Sequence, residues 1–284
     1  MVKIYNYEER KMQPSKERIL ILCKTYPSPS AKYAETSCVA GMREDGSLIR
    51  LYPVPFRLIN DNSKFKKWQW ITARIARARD DRRIESHRIF VDTIECDVRA
   101  LSTNDRWQER RSWLSKLKVY DDFVDMERAR ITDGQTLALL RPSTIRSLEI
   151  RAAATEDWTD AEKSKLLQMQ NQGSLFDNSD KKEIALLRKI PHDFHYKYSC
   201  TLNGETHEYR HKIVDWEAGA LYWKVRKSSD WEKLFRAKLE EHLPSKDLLF
   251  LMGTIHRFPD QWLIVSLIYP PKQQPSDQLQ GLLL

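Results

Sequence analysis

Strict alternation over residues 68–78, "WQWITARIARA", constrains this chain more than any other feature. Trp68, Trp70, Thr72, Arg74 and Ala76 fall on one face, and Gln69, Ile71, Ala73, Ile75 and Arg77 on the other. That period of two belongs to a strand with two different environments, not to a helix. Four more strand-like runs surround it: "RILILCK" (18–24), "ETSCVAGM" (35–42), "SLIRLYPVPF" (47–56) and "HRIFVDTIECDVRA" (87–100). The "REDG" between the second and third is an Asp-Gly hairpin signal. Five strands at this spacing predict a small barrel or a strongly curled sheet.

Beyond residue 100 the pattern changes. "STNDRWQERRSWLSKLKVYDDF" reads as a helix with several N-cap candidates, and "TLALLRPSTIRSLEIRAA" as one or two strands broken at Pro142. "TEDWTDAEKSKLLQMQNQ" reads as another helix, after which residues 171–189 lose all periodicity. The second half reads strand, strand, helix, helix, strand, strand, with an Asn-Gly hairpin at "LNGE" and a last hairpin around "HRFPD". The expected class is α+β: a β-rich barrel-like unit over 17–170 and a smaller ββααββ unit over 190–272. An N-terminal arm (1–16), a linker (171–189) and a C-terminal tail (273–284) complete this division.

Hydrophobic residues make up 41% and charged residues 31% of the 284, a composition that can build packed cores. No apolar run approaches the ~20 residues needed to span a bilayer, and the first residues lack a signal-peptide core, so a cytoplasmic location with no membrane partner is expected. Four cysteines without a CxxC give no disulfide or zinc-ribbon signature. No P-loop, GxSxG, GxGxxG or HExxH is present.

The net charge of +8 favours an anionic partner, with DNA or RNA first. Bases concentrate in residues 64–88: Lys64, Lys66, Lys67, Arg74, Arg77, Arg79, Arg82, Arg83 and Arg88, interleaved with Trp68 and Trp70. A strand running into a basic loop with aromatics nearby is one way small barrels hold phosphates and stack bases. The competing reading pairs the arginines with Asp80, Asp81 and Glu85 and sends both tryptophans to the core. Tyr26, Arg50, Tyr52 and Arg57 form a second candidate set, a pocket for a nucleotide or flipped base.

A third set, His207, His211, Asp215 and Glu217, follows Cys200 and shares one face if the strand is regular. It keeps a nuclease or base-modifying enzyme open, which would need a divalent metal. Otherwise Asp215 caps the helix that begins at Trp216. The expected function is a nucleic-acid-binding accessory protein of DNA metabolism or mobile-element defence. The alternatives are that enzyme, or an interaction subunit of a larger complex.

"QGSLF" (172–176) resembles the pentapeptide by which bacterial DNA polymerases and repair proteins dock on the sliding clamp. The resemblance implies a protein partner held through Gln172, Leu175 and Phe176. "IRLYPVPFR", "HKIVDWE" and "GTIHRFPDQWLIVSLIYPP" resemble an uncharacterised group of two-domain bacterial hypothetical proteins. That likeness transfers no catalytic residue. It implies Cys and His pairs near 200–211, where this chain has only Cys200, His207 and His211, fewer than a tetrahedral zinc needs.

Overall fold

A computed structural model of the chain describes residues 13–29, 35–57, 59–164, 166 and 187–273. The alternating runs become β1 (Ser15–Lys24), β2 (Ser28–Pro29), β3 (Glu35–Met42), β4 (Leu48–Val54), β5 (Gln69–Arg77), β6 (Ser86–Ile89) and β7 (Glu95–Ala100). Pairing runs β1-β3-β4-β6-β5, and β5 returns to β1, so five strands close a barrel. Only the β4–β6 contact in this ring is parallel. This Greek-key ring is the arrangement of an OB-fold. One side of the alternation fills its interior: Ile19, Ile21, Val39, Ile49, Leu51, Ile71, Ala73 and Ile75, joined by Phe65 from the β4–β5 connection.

The barrel wall is tight at Gly41, which pairs with Ile21 across β1 and β3. A Cβ there would lie 2.5 Å from the Leu20 carbonyl oxygen and 2.7 Å from Ile19 Cγ2. Backbone cannot yield as a side-chain tip can, so Gly41→Ala is expected to destabilise the chain by about 1–3 kcal/mol. Urea denaturation reads this directly, and an unchanged midpoint would show that the two strands stand further apart.

The second sheet takes β8 (Val119–Tyr120), β9 (Leu137–Leu140), β10 (Thr144–Ala152), β11 (His192–Leu202), β12 (Glu205–Ile213), β13 (Leu249–Thr254) and β14 (Trp262–Ile268) in the order β10-β11-β12-β14-β13-β9-β8. The Asn-Gly turn closes the β11–β12 hairpin, with positive φ at Asn203 and Gly204. Helices α1 (Asn104–Leu114), α2 (Phe123–Asp133), α3 (Trp216–Val225) and α4 (Trp231–Arg236) accompany the sheets. The first turn of α1 departs from the expected helix, because Asp105, Arg106 and Trp107 take left-handed backbone. The ββααββ order from β11 to β14 is as read, and the class is α+β with two units.

The division between the units lies elsewhere than expected. Residues 119–152, assigned by sequence to the first unit, pair into the second sheet, where β10 lies against β11 from Thr144↔Ser199 to Ala152↔His192. The sheets therefore divide near residue 118, not across 171–189. The reason is that alternation records which residues share a face, while the choice of partner strand is made at long range.

The two units are packed together over the outside of the barrel. Leu20, Leu22, Ala40, Met42, Trp68 and Trp70 from the barrel form one apolar cluster with Leu137, Leu139, Leu249, Leu251 and Val265 of the second sheet. The opposite face of that sheet carries a third cluster, rich in aromatics, with Tyr196, Tyr198, Phe235 and Phe250 at its centre. The outer face of strands two and three of an OB-fold is its usual ligand face. Here those strands are β3 and β4, and much of that face is covered by β9, β13 and β14.

Candidate nucleic-acid interface

The basic stretch divides into bases that hold the fold and bases that do not. Lys67 donates to the Leu267 carbonyl at 2.8 Å and pairs with Glu217 at 3.0 Å, fastening the start of β5 to the second unit. Lys64 pairs with Asp61 at 2.7 Å. Arg77 donates to the carbonyls of Arg83 (2.7 Å) and Ser86 (2.6 Å), which folds the 78–85 loop back on its own strand. Arg83 pairs with Asp81 at 2.6 Å and donates to the Thr254 carbonyl of the second unit. These hydrogen bonds and the Arg83 guanidinium hold the Asp81 carboxyl well below the usual carboxylate range against the opposing effect of its burial. Four of the nine candidate bases are thus engaged by the protein itself, and three of them, Lys67, Arg77 and Arg83, hold the fold.

The tryptophans are not stacking platforms. Trp68 is 3% and Trp70 4% exposed, because α1 and the second sheet cover the outer face of β5 there. Trp68 meets Trp107 edge-on at 5.6 Å, and Trp70 meets Trp113 at 4.8 Å. Their shared face was legible, but that face turns to protein rather than to water.

Four arginines remain in one region. Arg74 and Arg88 lie on the outer face of the β5–β6 hairpin, where Ala76 opposes Arg88. Their guanidinium carbons stand 5.3 and 5.6 Å from the ring centre of Phe90, which is half-buried. Arg79 and Arg82 continue past the strand end into the exposed loop. Among the described residues none of the four has a carboxylate within ion-pair distance, although Asp80 and Asp92 are exposed nearby in sequence. Lys66 is exposed too, but before the other end of β5. From Arg74 to Arg79 an extended chain covers roughly 17 Å.

The proposed pocket set is only partly assembled. Tyr26 accepts from Trp223 Nε1 at 2.7 Å and donates to the Arg188 carbonyl at 2.9 Å. Arg57 pairs with the buried Glu35 at 3.2 Å. Both charges act on Tyr26, so these three lie together, and burial raises the Tyr26 and Glu35 pKa values. Arg50 instead points between the two units, and Tyr52 is exposed on β4.

The catalytic set converges only in part: Asp215 and Glu217 both reach Lys67, at 3.9 and 3.0 Å, while His207 and His211 stand apart from them. Asp215 caps α3: its Oδ1 accepts from Glu217 N at 2.6 Å and its Oδ2 from Leu267 N at 2.7 Å. Glu217 is committed to Lys67. His211 sits within the sheet's aromatic face, 3.0 Å from the Tyr198 hydroxyl through Nδ1, while His207 is exposed opposite Cys200. Seven residues, six of β12 and Val214, separate His207 from Asp215. Among the described residues no group of three or more His, Cys, Asp or Glu side chains is placed to hold a metal ion. No described helix is long and apolar enough to cross a membrane. Gln172, Leu175 and Phe176 lie outside the described residues, as do residues 274–284.

Sequence reasoning missed one feature beside this surface. The 255–261 turn between β13 and β14 meets the 78–85 loop, with His256 Nε2 3.9 Å from Asp81 Oδ1. It carries exposed His256, Arg257 and Phe258. The signal was present in "HRFPD", a base and an aromatic in a short turn.

Two family models cover the chain. One, described as Domain of unknown function (DUF8758), matches residues 15–116, the barrel with α1. The other, Domain of unknown function (DUF8757), matches residues 120–282. A replication protein A heterotrimer bound to ssDNA is similar at 10% identity, with 96% of this chain and 69% of that chain covered and a TM-score of 0.27. A likeness that low supports nothing about fold or ligand. No curated protein matches the chain. Since the second model spans more than half of its length, the chain belongs to the family Domain of unknown function (DUF8757).

Proposed function

We propose that this protein binds nucleic acid through its backbone phosphates, along the outer edge of the β5–β6 hairpin and its loop, in an accessory rather than a chemical role. One observation carries the reading. In a stretch whose other bases are largely engaged by carboxylates or carbonyls, Arg74, Arg79, Arg82 and Arg88 are left on one exposed region without carboxylate partners among the described residues. Arginine offers a planar fork of donors that phosphate oxygens accept in pairs. Much of the usual barrel ligand face is occupied by the second sheet, so the hairpin edge and the loop after the fourth barrel strand offer the more accessible surface.

Arg74→Ala/Arg82→Ala/Arg88→Ala tests it, titrated against labelled nucleic acid at two salt concentrations. Each lost phosphate contact lowers the slope of log affinity against log salt by about 0.7–0.9. A slope smaller by roughly 2 is therefore expected for the triple variant. Arg77 and Arg83 are left intact because they hold the loop. Absence of wild-type binding at low salt, or an unchanged slope, would remove the reading.

A further inference from the structure

We infer that the bound nucleic acid is single-stranded and that it crosses from the barrel onto the 255–261 turn, where Phe258 stacks a base. This rests on the reading of the β5–β6 edge given above and adds a second contact region from the other unit.

The two loops are held together. Arg83 bridges Asp81 and the Thr254 carbonyl, and Asp81 lies 3.9 Å from His256. Residues that begin the β13–β14 turn are therefore fixed beside the loop bearing Arg79 and Arg82. The turn is closed by its own backbone: Ile255 N donates to Gln261 O at 3.0 Å, Phe258 N to Ile255 O at 3.2 Å and Gln261 N to Phe258 O at 2.9 Å. At its tip Phe258 is 52% exposed, and no ring stacks on it among the described residues. Arg257 beside it is exposed and, among the described residues, has no carboxylate within ion-pair distance.

A single exposed aromatic is ordinary on a protein surface. This one stands on a closed turn with Arg257 beside it and the Arg79–Arg82 loop against its base. The arrangement repeats in kind at Phe90 between Arg74 and Arg88. Rings alternating with cations suit a strand whose bases are unstacked and present their π-faces. A duplex hides those faces between base pairs and offers a ring on a knob only backbone and base edges.

The probes are labelled oligo-dU, oligo-U of the same length, and a duplex, measured by fluorescence anisotropy at matched salt. Both single strands, or one of them, should bind at least roughly 10-fold more tightly than the duplex, and the tighter of the two identifies the preferred sugar. Phe258→Ala should weaken single-strand binding roughly 5- to 100-fold with the salt slope unchanged, and Phe258→Trp should restore it. Equal affinity for duplex and single strands, or an unaffected Phe258→Ala variant, overturns this inference. If the triple arginine variant still loses its salt slope in that case, the phosphate-binding reading survives alone. If no probe binds at low salt, both fall.

Discussion

Replacing Arg50 by methionine is expected to lower the unfolding free energy by about 3–5 kcal/mol. Arg50 projects from β4 and is 1% exposed. Its guanidinium donates to Thr136 Oγ1 at 3.0 Å, to the Thr136 carbonyl at 2.9 Å and to Ser86 Oγ at 3.3 Å, and stands 4.0 Å from Glu85 Oε2. Glu85 is itself buried and accepts from Thr136 N at 2.7 Å, from Leu137 N at 3.1 Å and from Thr136 Oγ1 at 2.5 Å. The two charges thus meet the residues that begin β9, and they link the barrel to the second sheet. Methionine replaces the stem of Arg50 but leaves the Glu85 carboxylate buried without its cation. The cost comes from that stranded charge more than from the lost pair. The double variant Arg50→Met/Glu85→Gln should accordingly lose less than the sum of the two single changes, which a double-mutant cycle in urea measures. A single Arg50→Met change costing under ~1 kcal/mol would show that the interface does not depend on this network.

Local patterns carried much of the fold into the sequence. The alternation of residues 69–77, the Asp-Gly turn after Met42 and the Asn-Gly turn at 203–204 each became the hairpin or strand they signal. The cap at Asp215 was equally local, since a carboxylate one residue ahead of "WEAGALYW" has the helix N–H groups in reach. What was not legible is which strand pairs with which. "LALL" and "TIRSLEIRA" look like two more barrel strands, and only their partners Phe250 and Tyr196, far along the chain, assign them to the second sheet.

The covering of the barrel does leave a trace in the residues themselves. "ILILC" in β1, "LALL" in β9 and "LLFLMG" around β13 are continuous apolar runs, which occur where a strand is covered on both faces. A barrel with such a strand cannot expose all of its outer wall, so these runs by themselves imply a second layer over Leu20 and Leu22. For the binding surface the limit is different. Nothing near Lys67 or Arg83 in sequence shows that Glu217 and the Thr254 carbonyl claim them, from 150 and 171 residues away. Composition finds a basic region, but tertiary partners decide which of its charges remain for a ligand.

Stability is expected to fall by about 3 kcal/mol as pH drops from neutral to about 4, through His211 alone. Burial, with a smaller contribution from the charge of His195, pushes the His211 imidazole down from 6.5 to about 4. Its ring lies 4.9 Å from Phe123, and its Nδ1 is within hydrogen-bond reach of the Tyr198 hydroxyl. The folded chain therefore keeps this imidazole neutral while the unfolded chain protonates it near 6.5. Between those two values the unfolded state binds more protons, so stability rises with pH across the window and is flat for this group outside it. His195 is lowered to about 4 as well, first by its burial and then by Arg210, and adds to the same slope. Below about pH 5 the unfolded chain also begins to protonate its acids, so carboxylates held low in the folded chain, Asp81 among them, add to the same fall. His211→Gln keeps an acceptor for Tyr198 without a proton site in this range. Its unfolding free energy should be flatter than wild type between about pH 6.5 and 4, measured by denaturant titration at each pH. The difference between the two proteins isolates His211 from every other titrating group, and parallel curves would mean that its ring is hydrated in the folded state.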